Sequence, residues 1–102
     1  MTDYAVVTRA TYGPAGRQKA EELAARLASV YRAQPGFERA DFLCFDDAAG
    51  DFGSLVLFDS RAHAEAALEA SQQTREKTTR ELSIVRLGTP QRSIAEVFAS
   101  TT

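Results

Sequence analysis

The segment QPGFERADFLCFDDAAGDFGSLVLFDS, Gln34 to Ser60, decides the fold. It reads as a strand, GFERADFLCFDD, a tight connection, AAGDFG, in which Gly50 suits a positive φ, and a second strand, DFGSLVLFD, hairpinned to the first. Side chains alternate between the two faces of a strand. Phe37, Leu43 and Phe45 are expected on one face of the first strand, with Ala40, Phe42 and Cys44 on the other; in the second, Phe52, Val56 and Phe58 oppose Leu55 and Leu57. A sheet with one wet face alternates apolar and polar residues. This hairpin is apolar on both faces, so both need cover.

Working outward, DYAVVTRATY (Asp3 to Tyr12) is β-branched and aromatic and reads as a preceding strand, stopped by Gly13, Pro14 and Gly16. Ala20, Leu23, Leu27, Val30 and Tyr31 then recur at helical spacing, with Arg17–Glu21 and Glu22–Arg26 placed for ion pairs, and Pro35 and Gly36 end the helix near Gln34. After the hairpin, Asp59 or Ser60 caps a second helix whose inner stripe runs through Ala64, Ala67, Leu68 and Ser71 towards Arg75, Thr78 and Leu82. LSIVRLGTPQ reads as a short irregular or helical segment ended by Gly88 and Pro90, and RSIAEVFA (Arg92 to Ala99) as a last strand. The order β-α-β-β-α-β predicts an α+β, ferredoxin-like domain over residues 1–102: a four-stranded antiparallel sheet with both helices on one face. Two helices cover one face only, and a bare apolar face is larger than monomers tolerate. The expected cover is the same face of a second chain, making a homodimer; the alternative is that C-terminal residues fold over it.

Composition narrows the function classes. The chain has 102 residues, a net charge of −2 and 44% hydrophobic residues, which suits one soluble domain and gives no long-range attraction for nucleic acid or an anionic membrane. No basic run, no bilayer-spanning apolar stretch and no export signal is legible in MTDYAVVTRATYGP, so a cytoplasmic protein is expected. One cysteine, Cys44, and one histidine, His63, make neither a disulfide nor a zinc site. Nucleophile elbows, phosphate-binding glycine loops and metal-ligand spacings are missing too.

The glycine-marked YGPAGRQKAEEL, the helix-to-strand step QPGFERADFL and LVLFDSRAHAEAAL together resemble the antibiotic biosynthesis monooxygenase-like dimeric α/β-barrel proteins over residues 4 to 99. The resemblance implies a ligand cavity between sheet and helices. It also implies a choice among cofactor-independent quinone-forming monooxygenases, haem-degrading monooxygenases and proteins without known activity. Many active members carry a tryptophan where the third strand meets the second helix, and a histidine two to three turns into that helix. Here those positions hold Phe58 and the AALEA around Ala67, and the asparagine of haem-degrading members falls near Arg9. The haem-degrading subclass is therefore disfavoured, and no cofactor is expected.

Each candidate residue has two readings. His63, in the first turn of the second helix, is a surface histidine or a proton-transfer group at the pocket mouth. Arg9 is an edge or interface arginine paired with Glu38, Asp41 or Glu96, or an anchor for a ligand oxygen. Tyr12 and Tyr31 pack their rings or orient a phenolic substrate. Cys44 reads as a buried small hydrophobe. The second helix has small alanines and then polar residues on its inner stripe, which predicts a roomy, polar pocket lined by Phe42, Phe58, Ala67, Ser71 and Arg75, with Tyr31 nearby. Two functions compete. One is cofactor-independent oxygenation of a small aromatic or quinol-like metabolite, with Arg9 or Arg75 stabilising an anion, His63 moving a proton and Phe58 giving shape. The other is a non-catalytic dimeric domain that binds a small apolar ligand or a protein.

Overall fold

The computed structural model describes residues 2–14 and 16–101. Its elements are β1 (Asp3–Thr11), α1 (Arg17–Arg32), β2 (Phe37–Asp46), β3 (Asp51–Phe58), α2 (Arg61–Glu81) and β4 (Leu87–Val97). The sheet order is β2-β3-β1-β4, every neighbouring pair antiparallel. This is the β-α-β-β-α-β arrangement that the alternation and helical spacing predict. Among the described residues no helix is long and apolar enough to cross a membrane.

Both helices pack on the face carrying Val6, Val56 and Phe58. Leu23, Leu27 and Tyr31 from α1 and Ala64 and Ala67 from α2 complete the buried cluster, closed by Ile84. Of the expected α2 stripe, Ala64, Ala67, Ser71, Arg75 and Thr78 are buried, while Leu68 and Leu82 are partly buried against the core. Ser60 caps α2, its Oγ accepting from the His63 backbone N–H at 3.2 Å. The expected pairs form, Arg17–Glu21 at 3.7 Å and Arg26–Glu22 at 3.2 Å, and Arg26 also reaches Glu81 at 2.6 Å, tying α1 to the end of α2.

Three expectations are corrected. Phe37 shares the helix face with Ala40, Phe42 and Cys44 rather than lying with Leu43 and Phe45. The register of β2 on β3 shifts between Phe37 and Arg39, and this bulge inserts a residue into the alternation. The Phe37 ring therefore meets Phe58 edge-on, 6.1 Å between centroids. Second, β4 begins at Leu87, not Arg92, and ends at Val97. Gly88 and Pro90 lie inside it, because β4 is an edge strand and an edge tolerates a missing N–H. Third, Cys44 is exposed, because β2 is the opposite edge.

The ambiguous segment after α2 is a helix stop. Ser83 takes φ +53, the Ser83 N–H donates to the Arg80 carbonyl at 3.2 Å and the Ile84 N–H to the Thr79 carbonyl at 2.9 Å. That is the Schellman pattern, with a residue other than glycine in the left-handed position. It turns the chain so that Ile84, 8% exposed, drops into the core. Ser83→Gly should remove the left-handed penalty and raise stability by up to about 1 kcal/mol, read as a higher Tm. A lower Tm would show that the hydroxyl or the stiffer backbone matters more.

Candidate functional site

The register sets four side chains in a row on the helix face, Phe42, Ser54, Thr8 and Arg92, with Cys44, Phe52 and Ala10 in the next row. Thr8 and Ser54 are small and satisfy each other, hydroxyl to hydroxyl at 2.6 Å. Above them α1 presents Ala20 and Ala24 beside Leu23 and Leu27. Small residues on both sides leave a cavity of about 280 Å³. Tyr12 and Phe52, stacked with centroids 6.2 Å apart, form an aromatic wall with Phe42. Exposed Arg17, Glu21 and Cys44 mark its mouth.

Arg75, Arg86 and Arg92 also line this space. Arg75 is only 6% exposed; one Nη donates to the Tyr31 hydroxyl at 3.2 Å, and its Nε has no partner. The Arg92 Nε is likewise buried without a partner. Burial, and then repulsion by Arg75 and Arg86, pull the Arg92 pKa down. A charge out of water needs a counterion or hydrogen bonds. Among the described residues no carboxylate pairs with any of these three arginines, so the cavity has apolar walls and excess positive charge.

Of the residues expected at the site, Phe42 and Arg75 line the cavity; Arg9 borders it, but its side chain lies on the helix-free face with Leu43 and Phe45. Phe58, Ala67, Ser71 and Tyr31 are fully buried and belong to the packing behind it. Tyr31 nevertheless takes part by holding Arg75. The Ser71 hydroxyl turns back to the Leu68 carbonyl at 2.9 Å. The Arg9 guanidinium is held by Asp51 at 2.6 Å, not by Glu38, Asp41 or Glu96, and lies 4.3 Å over the Phe45 ring. That hydrogen bond holds the Asp51 carboxyl below its usual range. His63 does not line the cavity; its Nδ1 meets Asp59 at 2.6 Å, one turn earlier. The sequence reading did not assign Arg86, Arg92 or the inner face of α1 to the site. The available signal was Arg92 itself, two residues before Ile94 and so on the same strand face.

No protein-family model and no curated protein matches the chain. Solved structures match its fold over nearly its full length. One is a mutant form of SnoaB, a cofactor-independent oxygenase from Streptomyces nogalater: 20% identity, 96% of this chain and 95% of that one, TM-score 0.72. Another is the Streptomyces coelicolor monooxygenase from ActVA-Orf6 in complex with nanaomycin D: 22% identity, 99% and 91% covered, TM-score 0.70. A third, from Nitrosomonas europaea, is named as a candidate antibiotic biosynthesis monooxygenase: 19% identity, 98% and 94% covered, TM-score 0.76. The chain has the fold of the antibiotic biosynthesis monooxygenases.

The space lies under α1, beside Arg75, and not against Ala67. Ala67→Leu should therefore overpack a filled core and destabilise by about 1–3 kcal/mol, seen as a clear drop in Tm. An unchanged or raised Tm would place free volume behind Ala67 instead.

Proposed function

We propose that this protein is a homodimeric, cofactor-independent monooxygenase of a small aromatic phenol or quinol, bound in the cavity between α1 and the sheet. The observation that carries the reading is the pairing of an aromatic wall with three guanidiniums that have no acidic partner, that of buried Arg75 and those of half-buried Arg86 and Arg92. The fold likeness to SnoaB supports it. A cytoplasmic location is part of the same proposal, and a net charge of −2 gives no long-range attraction for nucleic acid or an anionic membrane.

In the proposed reaction the ring is its own reductant. A phenol with an open ring carbon opposite the hydroxyl reacts with O2. One oxygen atom becomes the new ring carbonyl, and the other leaves as water with the ring hydrogen and the hydroxyl proton. The ring supplies all the electrons that O2 takes up, so no flavin or metal enters the balance. Arg75 and Arg92 lower the cost of the phenolate, because nearby positive charge favours the ionised form. Tyr12, Phe42 and Phe52 flank the ring and exclude water. The proton leaves through the mouth, where Glu21 stands beside Arg17. His63 and Phe58, both candidates in the sequence, do not line this space and have no part in the step. A second reading, a dimeric binding module without catalysis, is favoured by the lack of a histidine in the wall and by the engagement of Glu21 with Arg17. Purified protein free of added metal and flavin should consume one O2 per quinone formed from a naphthol or anthrone panel. Ligand binding with no oxygen uptake above a heat-denatured control would decide for the second reading.

The homodimer rests on the helix-free face. Val7, Leu55 and Leu57 lie there with Leu43, 39% exposed, and Phe45, 49% exposed. Sheet-on-sheet pairing with a second copy would remove this patch from water. Light scattering at micromolar concentration should give twice the 11.1 kDa chain mass. Leu55→Asp, whose cross-strand neighbour is Asp41, should split the dimer. A monomer mass for the unaltered chain would overturn the pairing.

A further inference from the structure

The chain between α2 and the regularly paired part of β4 is thinly attached. Ile84 is anchored in the core, and Gln91 pairs with Arg9. Between them only Leu87 pairs, opposite Thr11, and β4 has three residues, Gly88, Thr89 and Pro90, where β1 has Ala10 alone. So wide a bulge interrupts the ladder. Val85 and Arg86 make no backbone hydrogen bond among the described residues. Gly88 takes φ +80, and a Cβ there would meet nothing within 4 Å, so the segment can turn at this point at little cost. Val85 is 71% exposed and Leu87 56%, so neither side chain holds the segment down. Few buried contacts and an interrupted ladder mark a segment that opens locally.

This segment carries one charge, and that charge lines the cavity. Arg86 stands there with Arg75 and Arg92, and among the described residues no carboxylate pairs with any of the three. Burial, and then the charges of Arg75 and Arg86, hold the Arg92 pKa down, so the guanidiniums are near enough to repel one another. Arg75 is fixed in α2 by its bond to Tyr31, and Arg92 by the β1–β4 ladder opposite Thr8. Arg86 is the one free to move away. We propose that Val85, Arg86 and the bulge through Pro90 form a flap over the cavity, sprung by charge. Repulsion among the three guanidiniums holds it open while no anion lies between them; an anion draws Arg86 inward and closes it. This rests on the phenolate reading above and adds how the site opens and closes. The anion meets Arg86 only in the closed form, which is the differential contact that a shift between two states requires. Closure covers the ring on the β4 side and excludes water from it.

Amide hydrogen exchange of the full chain tests this, read at Val85, Arg86, Gly88 and Thr89 against the amides of β1. The probe is 4-nitrophenol under mildly alkaline conditions, where it is the phenolate. In the free chain the flap amides should exchange faster than those of β1. Arg86→Gln removes the repulsion and should slow them about two- to fivefold, the size of one partly exposed charge interaction. Added salt should slow them in the unaltered chain too, by screening, and gives the same reading should the variant not fold. Saturating nitrophenolate should slow them by at least as much in the unaltered chain, and by less in Arg86→Gln. Flap amides as slow as those of β1 in the free chain overturn the flap. Exchange that both Arg86→Gln and salt leave unchanged overturns the spring. Protection by nitrophenolate at Tyr12 and Phe52 but not at the flap overturns the closure and leaves the aromatic site standing. Protection nowhere overturns the phenolate reading, and closure on an anion with it.

Discussion

The guanidinium of Arg75 is taken out of water with one neutral acceptor, the Tyr31 hydroxyl, and an Nε that has none. An apolar side chain of similar length would fill the same place between the helices and the sheet without that desolvation cost. The surroundings are built to hold the charge. Tyr31, itself fully buried, sits on the inner face of α1 and fixes one Nη. Thr8 and Ser54 keep the neighbouring floor small and internally satisfied. Arg92 comes to the same floor because β4 pairs with β1 in a register that sets Arg92 opposite Thr8. Three strands and two helices thus converge on one electropositive hollow. The hydrophobic cluster around Val6, Val56 and Phe58 occupies the other end of the same face.

That division depends on the edges of the sheet. The two register shifts in β2, at Phe37/Arg39 and Cys44/Asp46, set which of its side chains meet the helices. The first sends Phe37 inward to close the core over Phe58. The second lies next to Phe45, whose ring rests against Gly53; a Cβ at Gly53 would come within 2.8 Å of that ring and collide with the Thr8 carbonyl oxygen. The glycine therefore lets the ring lie flat on the helix-free face, with the Arg9 guanidinium over it. The bulges bend an apolar edge strand, and a bent edge is a poor template for edge-to-edge addition of further strands.

The fold was legible because its elements follow clear periods. The α2 stripe from Ala64 to Thr78 could be read as buried even where it turned polar, since position on a helix depends only on spacing. The location of the empty space was not legible. It depends on how α1 lies across the sheet, a long-range outcome, and on four residues in one row drawn from four strands. Alanine at position 67 suggests room, yet Phe58 and its neighbours fill it; alanines at 20 and 24 leave room because the floor below them is Thr8 and Ser54. Local signals also misled at β4, where Gly88 and Pro90 read as breakers although an edge strand absorbs both. The partner of Arg9 was hidden for a similar reason, because Asp51 lies 42 residues away in sequence and only the β1–β3 register brings the two together.

An arginine-lined hollow without a histidine also bears on how oxygen chemistry could proceed there. A general base matters when proton removal must be assisted in the transition state. Fixed positive charge works differently, since it lowers the free energy of the anion itself, so that the proton can leave to water at the mouth before reaction. On the proposed reading the same charge acts twice. Once a phenolate passes an electron to O2, the negative charge moves to superoxide, and a cavity that attracts anions retains it beside the ring radical until the two combine. The aromatic wall cannot supply that retention, because it has no net charge, and bulk water would compete for superoxide with its own hydrogen bonds. The cationic floor and the dry aromatic wall are then parts of one requirement: hold the charge wherever it resides, and keep water from competing for it.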